Sequence, residues 1–250
     1  MEVCATAGET AALIKKSARK DYILFPEDRS NPIKMTANLP YRWIQKGIVT
    51  AFTGQASRGE HYSFQIGLYA IQKTSIAELR FTALSNGKGQ TIPAANLSCI
   101  NTSGTDYKGQ PFTKTIEVPA QQVQALWCLV KIPEAALAGI YRGSVTVHSP
   151  GRKPYTMAIT LKVSDKVLPD EGISEPWKQT RLHWLNSTLF QENTVIEPYI
   201  PIRVNNSALE FLGRTVTLNA DGLPKQVETY FTTEMTGYAK DPTPILDQPI

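Results

Sequence analysis

The feature that most limits the fold of this chain is an apolar pattern of period two. Tyr62, Phe64, Ile66 and Leu68 alternate with Ser63, Gln65 and Gly67. The alternation returns at Leu79, Phe81 and Ala83, at Tyr141, Gly143, Val145 and Val147, and at Met157, Ile159, Leu161 and Val163. Successive side chains of a strand point to opposite faces, so these runs predict half-buried strands. Leu126-Trp127-Cys128-Leu129-Val130 is apolar on both faces and suits a central strand. Turn-forming residues separate the runs at Ser85-Asn86-Gly87, Thr102-Ser103-Gly104 and Pro150-Gly151. About eight short strands between Trp43 and Ser164, punctuated in this way, predict an all-β fold: an immunoglobulin-like antiparallel β-sandwich.

One stretch sharpens that reading. Ile132 to Gly143 reads as a strand end, one helical turn, a glycine and a new strand opening at Tyr141. Pro133 suits the first helical position and Gly139 the exit. Sandwiches of this kind hold such a corner through a tyrosine hydroxyl bonded to upstream backbone. A plain aromatic core residue is the alternative. Gly143 stands where antibody domains carry a cysteine, so the corner would form without a disulfide.

Three segments are expected. Residues 1–30 read as a lead-in, with a helix over Thr10 to Lys20 and a strand over Tyr22 to Phe25 that stops at Pro26. Residues 31–166 form the sandwich. Residues 167–250 begin with the acidic, kinked Val167-Leu168-Pro169-Asp170-Glu171-Gly172, read as a linker, and continue into a second, incomplete β unit. There Val216 and Leu218 face Val227, Thr229 and Phe231 across an Asn219-Ala220-Asp221-Gly222 turn. About four strands make only half a sandwich. Leaving ~1,000 Å² of apolar face in water would forfeit ~25 kcal/mol, more than the ~5–15 kcal/mol net stability of a domain. The second unit is therefore expected to pack on the first or to continue elsewhere, in a longer protein.

Composition removes several classes of function. The net charge is only +4, and Lys15, Lys16, Arg19 and Lys20 read as a solvated helix face, so no nucleic-acid partner is expected. The longest apolar run, Ala125 to Val130, is far short of the ~20 residues a membrane span needs. Met1-Glu2-Val3-Cys4-Ala5 lacks the basic start and apolar run of a secretory signal. The chain is thus expected to be cytoplasmic or to lack its true amino terminus. Cys4, Cys99 and Cys128 read as buried or idle thiols, with a Cys99–Cys128 bridge left open. His61, His148 and His183 are far apart without ligand spacing, so neither metal nor cofactor is expected.

Two clusters have the chemistry of sugar recognition, which uses aromatic faces and bidentate polar groups. They are Tyr41-Arg42-Trp43 and the set Trp177, Arg181 and Trp184. The latter spacing, four and then three, places all three on one face if the stretch is helical. An interdomain plug is the alternative for these residues. Asn96, Asn101 and Asn186 open glycosylation sequons, which would be idle in a bacterium. Glu27-Asp28 and Asp170-Glu171 read as ordinary surface charge.

Gln124 to Val147, with its strand, corner and strand, resembles the amino-terminal sandwich of large bacterial glycosidases, in particular the glycoside hydrolase 123-like group of Bacteroides-type bacteria. Phe25 to Pro32, Leu39 to Ile44, Ser174 to Trp177, Arg181 to Ser187 and Leu212 to Arg214 fit the same group in order. The resemblance implies a modular secreted or periplasmic enzyme with sandwiches first and a catalytic (β/α)-barrel afterwards. It implies release of terminal N-acetylgalactosamine by substrate-assisted retention, with the acetamido oxygen as nucleophile beside an acid pair. This chain shows neither a barrel pattern nor an Asp-Glu pair in the required context, so no catalytic residue carries over. The expected role is a non-catalytic scaffold whose partner is its own missing catalytic domain. The alternative is a stand-alone carbohydrate-binding or cell-surface module, with glycan as partner.

Overall fold

A computed structural model describes residues 2–192 and 194–250. The chain forms two compact units, Met1–Thr188 and Leu189–Ile250.

The first unit is built on two sheets. One orders the strands Tyr22–Asp28, His61–Ala70, Val123–Lys131 and Leu97–Cys99. The other orders Ala51–Arg58, Tyr155–Val167, Gly139–His148, Leu84–Ser85 and Thr91–Ile92, with Glu78–Phe81 also pairing to Gly139–His148. The alternating residues meet in one core: Phe64, Ile66 and Leu68 from the first sheet, Val145, Ile159 and Leu161 from the second. The fold is all-β and sandwich-like. Pairing is antiparallel with one correction: edge strand Ala51–Arg58 runs parallel to Tyr155–Val167. A parallel partner needs a long crossover, and here most of the sandwich lies between the two strands.

Alternation tells only half the story of His61–Ala70. Ser63, Gln65 and Gly67, expected on a solvated face, are buried as well. A third layer covers them, made by the helices Ala7–Lys16 and Tyr41–Lys46 and their loops; Leu13, Phe25, Leu39 and Trp43 pack there with Tyr69 and Val123. Gln65 Oε1 accepts the Ile33 N–H at 3.0 Å, and Ser63 Oγ donates to the Lys178 carbonyl at 2.9 Å. The Ser63 hydroxyl and the Gln65 amide oxygen are thus paired with protein instead of water, while the Gln65 amide nitrogen is buried without a partner. Gly67 admits the Trp43 ring: a Cβ there would lie 2.3 Å from it.

Three local expectations change. The first strand runs through Pro26 to Asp28. It is a sheet edge, where a missing N–H costs no ladder bond. The first helix is Ala7–Lys16, set by a capping box between Thr6 and Glu9 and ended by extended Ser17. Arg19 therefore leaves the solvated face: it pairs with Asp21 at 2.6 Å and lies over the Tyr22 and Tyr155 rings.

The corner forms. The Tyr141 hydroxyl donates to the Leu137 carbonyl at 2.9 Å, and the Ala136 N–H closes a single turn onto the Pro133 carbonyl. Cys99 and Cys128 are register partners on adjacent strands and are free thiols. The stretch read as a linker closes the first unit instead. Leu168 is buried and its N–H donates to the Arg58 carbonyl at 3.0 Å, while the His61 N–H reaches the Glu171 carbonyl at 3.2 Å.

The second unit is a five-stranded antiparallel meander in chain order: Arg203–Asn205, Ala208–Phe211, Arg214–Leu218, Pro224–Phe231 and Tyr238–Pro244. Asn219 Oδ1 organises the expected turn by accepting the Asp221 and Leu223 N–H groups, and Gly222 supplies φ +80°. None of its described residues is buried. No helix among the described residues is long and apolar enough to cross a membrane.

Candidate functional site

Of the sequence-derived candidates, Tyr41 and Arg42 line one cleft of the first unit and Trp177 lines another. Tyr41, Arg42 and Trp43 open the short helix that starts after Pro40. Trp43 is fully buried, stacked on Phe25 at 4.3 Å and 8°, with its indole N–H donating to Glu27 Oε1 at 2.6 Å. Both its π-face and its polar handle serve the third layer, so it offers a ligand nothing. Tyr41 and Arg42 line a cleft of about 380 Å³ together with Asn31, Lys34 and Gln45. Arg42 there bonds the Asn31 carbonyl at 3.0 Å and lies 3.2 Å from Glu27 and 3.4 Å from Glu2. Its fork is already committed, which leaves Tyr41 as the free aromatic of this cleft.

Trp177 stands at a second cleft, of about 530 Å³, lined also by Arg29, Gln55, Lys162 and Lys166. It is 60% exposed. The cations of Arg29 and Lys178 lie 5.2 and 5.5 Å from its ring. Arg29 is anchored from below: it pairs with fully buried Glu60 and sits 4.5 Å over the Tyr62 ring. A half-open tryptophan above polar side chains can stack on the C–H face of a sugar while the rim bonds hydroxyls.

Trp177, Arg181 and Trp184 do not share one helix. Two 3₁₀ segments, Pro176–Lys178 and Thr180–Asn186, are broken by left-handed Gln179 at φ 57°. Positions three apart eclipse in a 3₁₀ turn, so Arg181 and Trp184 stay together, 5.5 Å apart, and Trp177 is separated from them by the break. Arg181 donates to the Ile173 carbonyl, and Trp184 is 50% exposed.

The acidic pairs are not plain surface charge. Glu27 is buried beneath Trp43. Asp28 accepts from the Tyr62 hydroxyl and from Ser30. Burial raises the Asp28 carboxyl, yet these hydrogen bonds outweigh it and hold the group below the usual carboxylate range. They also raise Tyr62, whose burial is the larger cause. Asp170 is held down to about 2 by bonds from Ser174 and the Gly172 N–H.

Sequence reasoning missed a cluster that only folding assembles. His61 opens its strand, Glu171 sits in the turn after Tyr155–Val167, and His183 lies in the second 3₁₀ segment. The two imidazoles stack at 4.1 Å and 21°. Glu171 Oε2 lies 3.4 Å from His61 Nε2 and 3.7 Å from His183 Nε2. Burial, then the neighbouring His183, push His61 below its ordinary pKa, against Glu171. This corrects the expectation of scattered, unrelated histidines. The signal was invisible because no local spacing encodes it. The sequon asparagines have internal tasks: Asn96 donates to the Lys131 carbonyl, while Asn101 and Asn186 accept the Trp127 and Thr105 N–H groups.

Residues 103–149 match the glycoside hydrolase 123 N-terminal domain, and residues 202–250 match the glycoside hydrolase 123 third domain. Among solved structures, a family 123 glycoside hydrolase from Clostridium perfringens, described for glycolipid glycan hydrolysis, is 20% identical with a TM-score of 0.45. The alignment covers 59% of this chain and 28% of that one, so this chain spans well under half of that protein's length. The E. coli chaperone DraB is 11% identical at a TM-score of 0.29, over 79% of this chain and 94% of that one. A PapD-like domain of human CEP192 is 10% identical at 0.29, over 60% and 92%. No curated protein matches. Two stretches of the chain, residues 103–149 and 202–250, are thus similar to the N-terminal and third domains of the glycoside hydrolase 123 family.

Proposed function

We propose that this chain is the non-catalytic β portion of a bacterial glycoside hydrolase, a scaffold for a barrel domain that cleaves the glycosidic bond. The observation that carries the proposal is the second unit. Its meander has five strands, yet none of its described residues is buried, and Val204, Ile200, Ile202 and Tyr199 are well exposed. A single sheet that buries none of its described residues supplies no stable core of its own, and in this reading a catalytic domain provides the cover. The acids of the first unit support the same reading. Glu27 and Glu60 hold Trp43 and Arg29, and Asp28 holds Tyr62, which leaves them to structure instead of bond cleavage. The corner at Tyr141 supports an immunoglobulin-like assignment for the sandwich.

The test is turnover of an aryl N-acetyl-β-galactosaminide. The 250-residue chain alone shows none, and extension into an in-frame barrel restores it. Saturable hydrolysis by the chain alone overturns the reading. A second reading, a glycan-binding module, is favoured by the exposed Trp177 above its cleft. It requires specific binding in a glycan screen that Trp177→Ala or Trp184→Ala abolishes.

A further inference from the structure

We propose that His61, Glu171 and His183 form a three-ligand site for a divalent transition-metal ion of the zinc class. The donor atoms all lie within 4.8 Å of one another. The carboxylate oxygen is 3.4 and 3.7 Å from the two imidazole nitrogens. Ligand bonds of about 2.0–2.1 Å in a tetrahedral shell place neighbouring donors roughly 3.3 Å apart. The observed separations therefore need to close by only a few tenths of an ångström on the carboxylate side.

The surroundings fit as well. His183 Nδ1 lies 2.7 Å from the Thr180 carbonyl. That oxygen can only accept, so Nδ1 carries the proton and Nε2 keeps its lone pair toward Glu171. Metal-binding histidines are oriented in this way by a backbone carbonyl on the far nitrogen. Glu171 has φ +58°, a conformation rare outside glycine, and it brings the carboxylate to both rings. The stacked rings, 21° from parallel, splay as the ion enters; His183 and Glu171 are partly exposed and free to adjust. Two imidazoles and one carboxylate suit zinc, copper or nickel and not the all-oxygen shells of calcium or magnesium. The fourth position is left to water. Such an ion would tie the start of the His61–Ala70 strand to the turn and the 3₁₀ segment that end the first unit.

The experiment is calorimetric titration of Zn²⁺ into the untagged chain in a non-chelating buffer. One saturable site per chain is expected. His183→Ala and Glu171→Ala should each weaken it by roughly 100-fold or more. His148→Ala, which removes the third histidine, should leave it unchanged. Cu²⁺ electron paramagnetic resonance should report two imidazole nitrogens in the parent and one in His183→Ala. If His183→Ala or Glu171→Ala fails to fold, Glu171→Gln, of equal size, takes its place. Absence of saturable binding overturns the proposal. So does binding that survives these substitutions, which would place the ion at exposed Cys4 or another surface group.

Discussion

Single residues in the first unit are chosen for the layer they touch. Trp43 has the composition of a sugar-binding aromatic, but its ring is seated against Gly67 and stacked on Phe25. A period-two pattern says which residues share a face and not whether that face meets water. Gly67→Ala places a methyl group inside the Trp43 ring and should cost about 1–3 kcal/mol by overpacking. Urea unfolding measures it, and an unmoved midpoint would mean that the ring does not sit there. Tyr141 was legible because its partner, Leu137, is four residues away. Tyr141→Phe keeps the ring in the core and removes only the corner bond, so about 1 kcal/mol should be lost. A Phe variant as stable as the parent would show that the aromatic body alone makes the corner.

At the scale of elements, the long strands and the 219–222 turn are legible in the sequence, while several two- and three-residue strands and the 167–186 stretch are not. Strand periodicity is a local property of side-chain order, and Asn219-Ala220-Asp221-Gly222 carries its own turn chemistry. The 167–186 stretch takes its shape from contacts distant in sequence. Leu168 bonds Arg58, Ser63 bonds the Lys178 carbonyl, and left-handed Gln179 divides the stretch into two 3₁₀ segments. Asp170 organises the turn within it. Its folded pKa of about 2 lies below the ordinary value near 4, so the fold favours the carboxylate. That stabilisation is complete above about pH 4 and is lost as pH falls toward 2. Thermal midpoints measured across this window should fall less steeply for Asp170→Ala than for the parent. Parallel curves would show that the carboxylate does not hold the turn.

For the molecule as a whole, the two units differ in what protects them. The first has a core of fully buried side chains between its sheets and a second cluster beneath its helices. The second has no buried described residue. Amide exchange should therefore be slowest over His61–Ala70 and Val123–Lys131, and far faster over Arg214–Leu218 and Pro224–Phe231, because local opening follows buried apolar contact. Equal protection would show that the second unit is self-sufficient and would remove the main support for a covering domain. The sequence by itself determined the all-β class, the strand faces, the tyrosine corner and the hairpin turn, since each depends on residues within a few positions of one another. Only the tertiary structure decided that a third layer buries Trp43, that one edge strand pairs in parallel, and that His61, Glu171 and His183 converge. Those outcomes depend on which distant segments the packing of apolar surface brings together, and residue order along the chain does not record that proximity.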